Sequence, residues 1–364
     1  MVYTLVLYFI IVILYFVFPK SEKKFLGWVF ICAGLYLGVR YNYMPDYIPY
    51  HRTFDMFNSV EQYHYNPETD HAEYGWFVLN RLFRSSGYFT FVFVCSCVFA
   101  YANYKFFDLY KIECHYLLVA VFGMVTCANF SILSSAQRQF VATALFLLAY
   151  RYCIYGRLLI IRDLLSYRSI LYYLLIGLAS TFHTSALILL IIPFLCYIPY
   201  KNKLILLGLG AFFFAVLFAG ASFLPKLMNS VIQQSNSYEY LMSVVATNEH
   251  TFLGVSMMIL RILILLYVLS KYELPREHAI VLVIAYVSAI FTASTYSVVQ
   301  IDRLSFYLIT FDFLSYSIVL KYLSSLYRKL YGGIIWVWYL WGISKLFQPI
   351  VYDWQEYKTI FSVL

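Results

Sequence analysis

Apolar segments of roughly 15 to 22 residues recur along the whole chain, each long enough or nearly so to cross a hydrocarbon core of about 30 Å. They fall at approximately 3–18, 25–39, 88–104, 116–132, 139–155, 169–183, 185–199, 203–224, 252–270, 278–296, 304–321 and 331–346. This pattern predicts an all-α, polytopic integral membrane protein with about 12 transmembrane helices in a single transmembrane domain, 1–364. The chain is 63% hydrophobic and only 12% charged, with mean hydropathy +0.74, more apolar surface than one water-soluble core of this size can hide. The first segment, Tyr3 to Phe18, has neither a basic stretch before it nor an Ala-x-Ala-like site after it, so it is expected to stay as a span.

Charge placement orients the spans. With the N-terminus outside, the inner loops are 19–24, 105–114, 151–168, 201–203, 271–277 and 321–329. They carry 16 of the 26 Lys and Arg, against 9 outside and Arg261 within a span. The carboxylates run the other way, 6 inside and 11 outside with Asp312 in a span. Basic residues favour the cytoplasmic side, so an N-out, C-out topology is expected. The net charge of +8 therefore reflects topology and not a nucleic-acid surface. All seven cysteines lie in or beside apolar segments, which predicts no disulfides and no zinc site.

Two outer loops are long, 40–87 and 225–251, and function is expected there or beneath them. The first should include an amphipathic or re-entrant helix around Tyr74 to Arg84. Spans joined by almost nothing around His183 and around Pro199 should form tight helical hairpins. No internal repeat, linker or second domain is evident, so the doubled halves of many transporters are not visible.

Four ionisable side chains sit where spans meet the outer face: Arg40, Arg138, His183 and Arg303. Arginine against the positive-inside trend suggests an anionic ligand. Arg40 opens a segment stiffened by Pro45 and Pro49 that keeps Asp46 and several tyrosines together. It reads either as a snorkelling interfacial residue or as a ligand residue, and Asp46 as a general base or an Arg partner. Arg138, between Gln137 and Gln139 near a helix start, offers donors and a favourable dipole to a phosphate. A serine-capped solvated turn has the same sequence. His183 either shuttles a proton or bonds a neighbouring backbone, and no second His or carboxylate stands at metal-ligand spacing. Asp302 and Arg303 either neutralise each other or leave Arg303 to bind an anion. Arg261 and Asp312, near mid-membrane, should pair or line a wet cavity, since an unpaired charge there costs at least about 2.5 to 3.5 kcal/mol. Gln233 to Tyr240 mixes amides and rings, the chemistry of sugar contacts and equally of a solvated loop.

The order of these motifs resembles the Wzy-like polysaccharide polymerases, particularly the EpsG family of exopolysaccharide proteins. The residues carrying the resemblance are Arg40 followed by Asp46-Tyr47 and Tyr50; Glu73-Tyr74-Gly75-Trp76 with Leu79-Asn80; Arg138-Gln139; Phe182-His183-Thr184-Ser185; and Arg303. One departure is that Met44-Pro45 stands where the family often has Gly-Thr before the Asp-Tyr. The resemblance implies an enzyme of the bacterial cytoplasmic membrane, with a GT-C-like arrangement of helices possible. It would join repeat units carried on undecaprenyl diphosphate at the outer face. A chain-length regulator and a flippase are the partners such a system implies, and no cofactor or metal is expected. Arg138 and Arg303, supported by Arg40, would stabilise the departing diphosphate. Asp46 and His183 are the candidate bases, with Glu73 a third; Gln139 and Asp302 are supporting candidates.

Three other readings share parts of this pattern. A flippase or transporter needs charges through the bilayer, whereas these cluster at the outer rim. A membrane O-acyltransferase needs a deep histidine served from the cytoplasm. A polysaccharide ligase uses the same chemistry on a different acceptor.

Overall fold

The computed structural model of the chain describes residues 2–61, 63–66, 70, 72–126, 133–134, 136–155, 166–212, 215, 252–295, 303–344 and 358–359. In chain order its elements are α1 (Val2–Val17), α2 (Glu22–Gly38), β1 (Arg40–Tyr41), α3 (Tyr47–Asn58), α4 (Tyr74–Leu82), α5 (Gly87–Phe107), α6 (Cys114–Thr126), α7 (Gln137–Tyr155) and α8 (Tyr167–Phe182). A 3-10 stretch, Thr184–Ile191, runs into the one-turn α9 (Ile192–Leu195). After it come α10 (Lys203–Phe212), α11 (Phe252–Lys271), α12 (Arg276–Thr295), a 3-10 turn Arg303–Leu308, α13 (Ile309–Tyr322), α14 (Ser325–Ser344) and β2 (Lys358–Thr359).

The helical boundaries follow local chemistry. Helix α1 stops at Val17, two residues short of Pro19, because a proline disfavours helical backbone in the residue before it. Helix α2 carries Glu22 in its first turn, where a carboxylate complements the helix dipole. Ser166 caps α8 by accepting a hydrogen bond from the Ser169 N–H at 3.3 Å. By length and composition, Gly87–Phe107, Arg276–Ala293 and Leu304–Tyr322 can each cross a membrane, and Tyr3–Val17, Cys114–Thr126, Thr184–Leu195 and Lys203–Phe212 are shorter apolar helices. The chain is thus mostly helical and has the apolar helices of a membrane protein. The segment expected as a span at 185–199 begins as 3-10 helix instead of α-helix, a winding that gains about 2.0 Å per residue and so carries a short segment further. The ends of the segments expected at 116–132 and 203–224, and the loop 225–251 with its Gln233–Tyr240 run, lie outside the described residues.

The chain divides into two compact units, Met1–Pro193 with Ser324–Leu364, and Phe194–Leu323, a division no break in composition announces. In the first unit α2 packs on α5, α5 on α7, and α7 on α8, with α1 against α2 and α6. Helices α2 and α5 approach closely because Gly34 lies over Ala100 and Gly38 over Phe93. The Phe99 and Phe140 rings stack at 4.0 Å between α5 and α7. Helix α14 returns to α6, where Trp336 meets Phe122 at 5.3 Å. Strands β1 and β2 pair antiparallel, Arg40 opposite Thr359 and Tyr41 opposite Lys358.

Beside these helices, α3 and α4 form a small cap. Tyr47, Phe54, Phe57, Trp76, Phe77, Tyr88 and Phe91 are buried together in one aromatic cluster between α3, α4 and α5. Arg81 ties the cap internally by donating to the carbonyls of Phe57 at 3.0 Å and Val60 at 2.9 Å and to that of Glu61, which satisfies the end of α3.

In the second unit α11, α12 and α13 pack on one another. Arg261 of α11 pairs with Asp312 of α13, and the Ser288 hydroxyl of α12 donates to the same carboxylate at 3.1 Å. The Arg261 guanidinium also lies 5.5 Å from the Tyr316 ring centroid. The two charges expected at mid-membrane are therefore partnered, as their insertion cost requires.

Candidate functional site

Helix α4 seats against α8 through Gly75. A Cβ at that position would stand 2.7 Å from the Thr181 carbonyl oxygen, so only glycine allows the approach. The contact brings the residue capping α4, Glu73, up to the turn that follows α8. Glu73 is extended at φ −72°, ψ 147°, and its side chain turns to that neighbouring turn instead of capping its own helix.

Several donors from two other places in the chain converge on its carboxylate. Arg138, the second residue of α7, donates from Nη1 to Oε2 at 2.7 Å. The Thr184 N–H donates to Oε1 at 3.0 Å, and the Thr184 hydroxyl lies 3.4 Å from the same oxygen. His183 Nδ1 is 3.6 Å from Oε1 and 3.2 Å from the Ser185 hydroxyl. Arg138 is held in turn by Tyr50 of α3, whose hydroxyl accepts from Nε at 3.3 Å and whose ring centroid lies 6.0 Å from the guanidinium carbon. Trp76 meets the Tyr50 ring edge-on at 5.4 Å. The side chains of Glu73, Arg138 and His183 keep 18%, 27% and 31% of their surface accessible, so the cluster is open to a ligand.

Burial pushes the Glu73 carboxyl up. The Arg138 charge, the Thr184 N–H and the nearby His183 more than offset this, and hold it below the ordinary carboxylate range. Glu73 is thus ionised at neutral pH. Burial raises the Tyr50 phenol, and the charge of Arg138 only partly reverses this, so the hydroxyl keeps its proton.

Of the residues expected at the site from sequence, Arg138, His183 and Glu73 come together. Arg40 does not stand at an open surface. It is 1% exposed and donates to the carbonyls of Leu37 and Ser134 (2.7 Å) and to the Ser96 hydroxyl (3.2 Å), with the Phe140 ring 5.9 Å away. Two main-chain carbonyls, a hydroxyl and a ring thus surround its guanidinium. The two carbonyls tie the guanidinium into the helix packing. Asp46 is half-buried at the start of α3 and its charge acts on the Tyr50 phenol. Gln139 is buried within the helix packing, where its main-chain carbonyl accepts from the Thr143 hydroxyl at 2.8 Å. Arg303 opens the 3-10 turn of the second unit, and Asp302 lies outside the described residues. Among the described residues no group of three or more His, Cys, Asp or Glu is placed to hold a metal, and six cysteines are free thiols.

Glu73, from sequence a third candidate base behind Asp46 and His183, is the residue on which the cluster's contacts converge. The signal for it in the sequence is the run Glu73-Tyr74-Gly75-Trp76, a carboxylate two residues before a glycine at the start of an amphipathic helix. The Thr184 N–H and the bond from Arg138 to Tyr50 have no counterpart among the sequence expectations. No curated protein and no solved structure matches the chain. The EpsG family profile matches residues 25–359, and the chain belongs to the EpsG family.

Proposed function

We propose that the protein polymerises polysaccharide repeat units at the outer face of the bacterial cytoplasmic membrane, transferring an undecaprenyl-diphosphate-linked glycan to a hydroxyl of another lipid-linked unit. Membership of the EpsG family supports a polysaccharide polymerase-type role in general. The observation that carries the finer reading is the open cluster of Arg138, His183, Thr184 and Glu73 at the ends of α7, α8 and α4. About twelve spans in an N-out, C-out arrangement would put this cluster at the extracytoplasmic surface.

In the proposed reaction the acceptor hydroxyl oxygen attacks the anomeric carbon, and the bond from that carbon to the diphosphate oxygen breaks. Undecaprenyl diphosphate leaves with the bonding electrons, and the hydroxyl proton passes to a base. Arg138, its guanidinium positioned by Tyr50, stabilises the charge growing on the departing diphosphate. His183 is the favoured base. Its Nδ1 meets the Ser185 hydroxyl at 3.2 Å, a contact that orients the ring, so that Nε2 is the nitrogen to take the hydroxyl proton. Asp46 supports the site through Tyr50 in this reading, and Arg303, of the second unit, is carried over as a diphosphate ligand on the family resemblance alone. A chain-length regulator and a flippase are its working partners.

The test is the mass profile of lipid-linked and surface glycans in a deletion strain complemented with wild type, Arg138→Lys or Arg138→Ala. Single repeat units at the outer face without a ladder, rescued by wild type only, establish polymerisation. A full ladder with Arg138→Ala overturns the assignment, and units retained inside the cell point to a flippase.

A further inference from the structure

The two arginines described above differ in one respect. Arg40 is sealed and its partners include main-chain carbonyls that cannot leave. Arg138 is 27% exposed, and its charge is met by a carboxylate at the end of a side chain, which can leave by rotation about its own bonds. That carboxylate also collects a main-chain N–H, a hydroxyl and an imidazole on its second oxygen.

A guanidinium, an N–H at the start of a helical turn and a hydroxyl are the donors that hold a phosphate group elsewhere in proteins. Two oxygens of one carboxylate are spaced much as two oxygens of one phosphate are. We propose that Glu73 is a resident stand-in for a phosphate of the lipid diphosphate, occupying its subsite between Arg138 and Thr184 until the substrate displaces it. The proposal rests on reading this cluster as the diphosphate site. Glu73 then has two positions in the cycle. In the resting protein it neutralises Arg138 and anchors α4 to the turn after α8. With substrate bound, the diphosphate takes over the donors, and the carboxylate swings out to avoid a second negative charge at close range.

A stand-in imposes a measurable cost on affinity, because only the fraction of molecules with Glu73 displaced is competent to bind. Glu73→Gln keeps the shape, removes the charge and so weakens the competitor. Inorganic pyrophosphate is the probe, titrated calorimetrically into the purified full-length protein in nanodiscs of neutral lipid. The expected result is binding to Glu73→Gln about tenfold tighter than to wild type, as for a competent state about one-tenth populated. Arg138→Gln should bind neither tightly nor weakly within the range of the measurement. A merely structural Glu73 gives the opposite result, since loosening the site lowers affinity. Unchanged or weaker binding by Glu73→Gln, with wild type binding and Arg138→Gln not, overturns the stand-in and leaves the diphosphate site standing. No binding by any of the three overturns both. Glu73→Asp, whose carboxylate is one methylene short of Arg138 and Thr184, carries the same test should Glu73→Gln fail to fold, and tighter binding is again the expected result.

Discussion

Gly75 lies so close to Thr181 that any side chain at the glycine would meet the threonine's backbone and its hydroxyl together. This is the contact that brings Glu73 within 3.0 Å of the Thr184 N–H. Gly75→Ala should force α4 away from α8 and cost about 1–3 kcal/mol, the usual penalty of overpacking. The expected phenotype is a lowered melting temperature together with loss of polymer. Thr181→Ala should restore little, because the carbonyl at 2.7 Å remains. Normal polymer from Gly75→Ala would separate the α4–α8 contact from function.

Arg40 and Arg138 should fail in different ways. Arg40→Ala orphans the Ser134 carbonyl among other buried groups and should destabilise the protein by roughly 3 kcal/mol, lowering the amount in the membrane. What remains folded should make polymer of normal length. Arg138→Ala should accumulate normally and make none. Quantitative immunoblotting beside a glycan ladder distinguishes the two.

The Glu73 carboxyl sits below its ordinary range when folded, so its contribution to stability is complete above the unfolded value. It is lost as pH falls through the folded one. The advantage of wild type over Glu73→Gln in thermal melting should therefore be constant from neutral pH down to the ordinary carboxylate range, about 4. It should vanish under more acidic conditions. A difference that persists unchanged in acid would show that the Glu73 charge contributes nothing to folding.

Met44 adopts φ 71°, the left-handed region that favours glycine, directly before Pro45. An ordinary side chain there costs roughly 1–2 kcal/mol, part of which glycine forfeits through its own flexibility. Met44→Gly should thus stabilise the protein by about 0.5–1 kcal/mol, read as a rise in melting temperature. A fall would mean that the methionine side chain contributes packing that outweighs the backbone cost.

Removing one member of the Arg261–Asp312 pair leaves a charge unpartnered within the helices and should cost about 3–5 kcal/mol. Either Arg261→Met or Asp312→Leu alone should deplete the protein from the membrane. The double variant should recover most of the wild-type amount, because both uncompensated charges are gone.

What the sequence makes legible follows from the range of the forces involved. Hydropathy is a local property, so the helices around Val2–Val17, Gly87–Phe107 and Phe252–Lys271 stand close to where their apolar runs predict them. That Arg261 and Asp312 must pair or line a wet cavity is also legible, since charges in apolar runs have few other solutions, and the structure shows the pair. The hub at Glu73 is not. Its partners are 65 and 111 residues away, and nothing in a single sequence records which distant donor a carboxylate will meet. The burial of Arg40 is hidden for a related reason: arginine at the end of an apolar run looks the same whether it faces solvent or closes on a carbonyl 94 residues away. The left-handed backbone at Met44 is likewise invisible in the sequence, where only a methionine before a proline can be read.

The short pairing of Arg40–Tyr41 with Lys358–Thr359 has a topological consequence. Two strands that share hydrogen bonds lie on one side of a bilayer, so the chain between them must cross it an even number of times. That parity binds any count of the spans, whatever each helix does, and the ten apolar segments between residues 41 and 358 obey it. Reporters placed in the loop after α3 and near Lys358 must therefore report the same compartment.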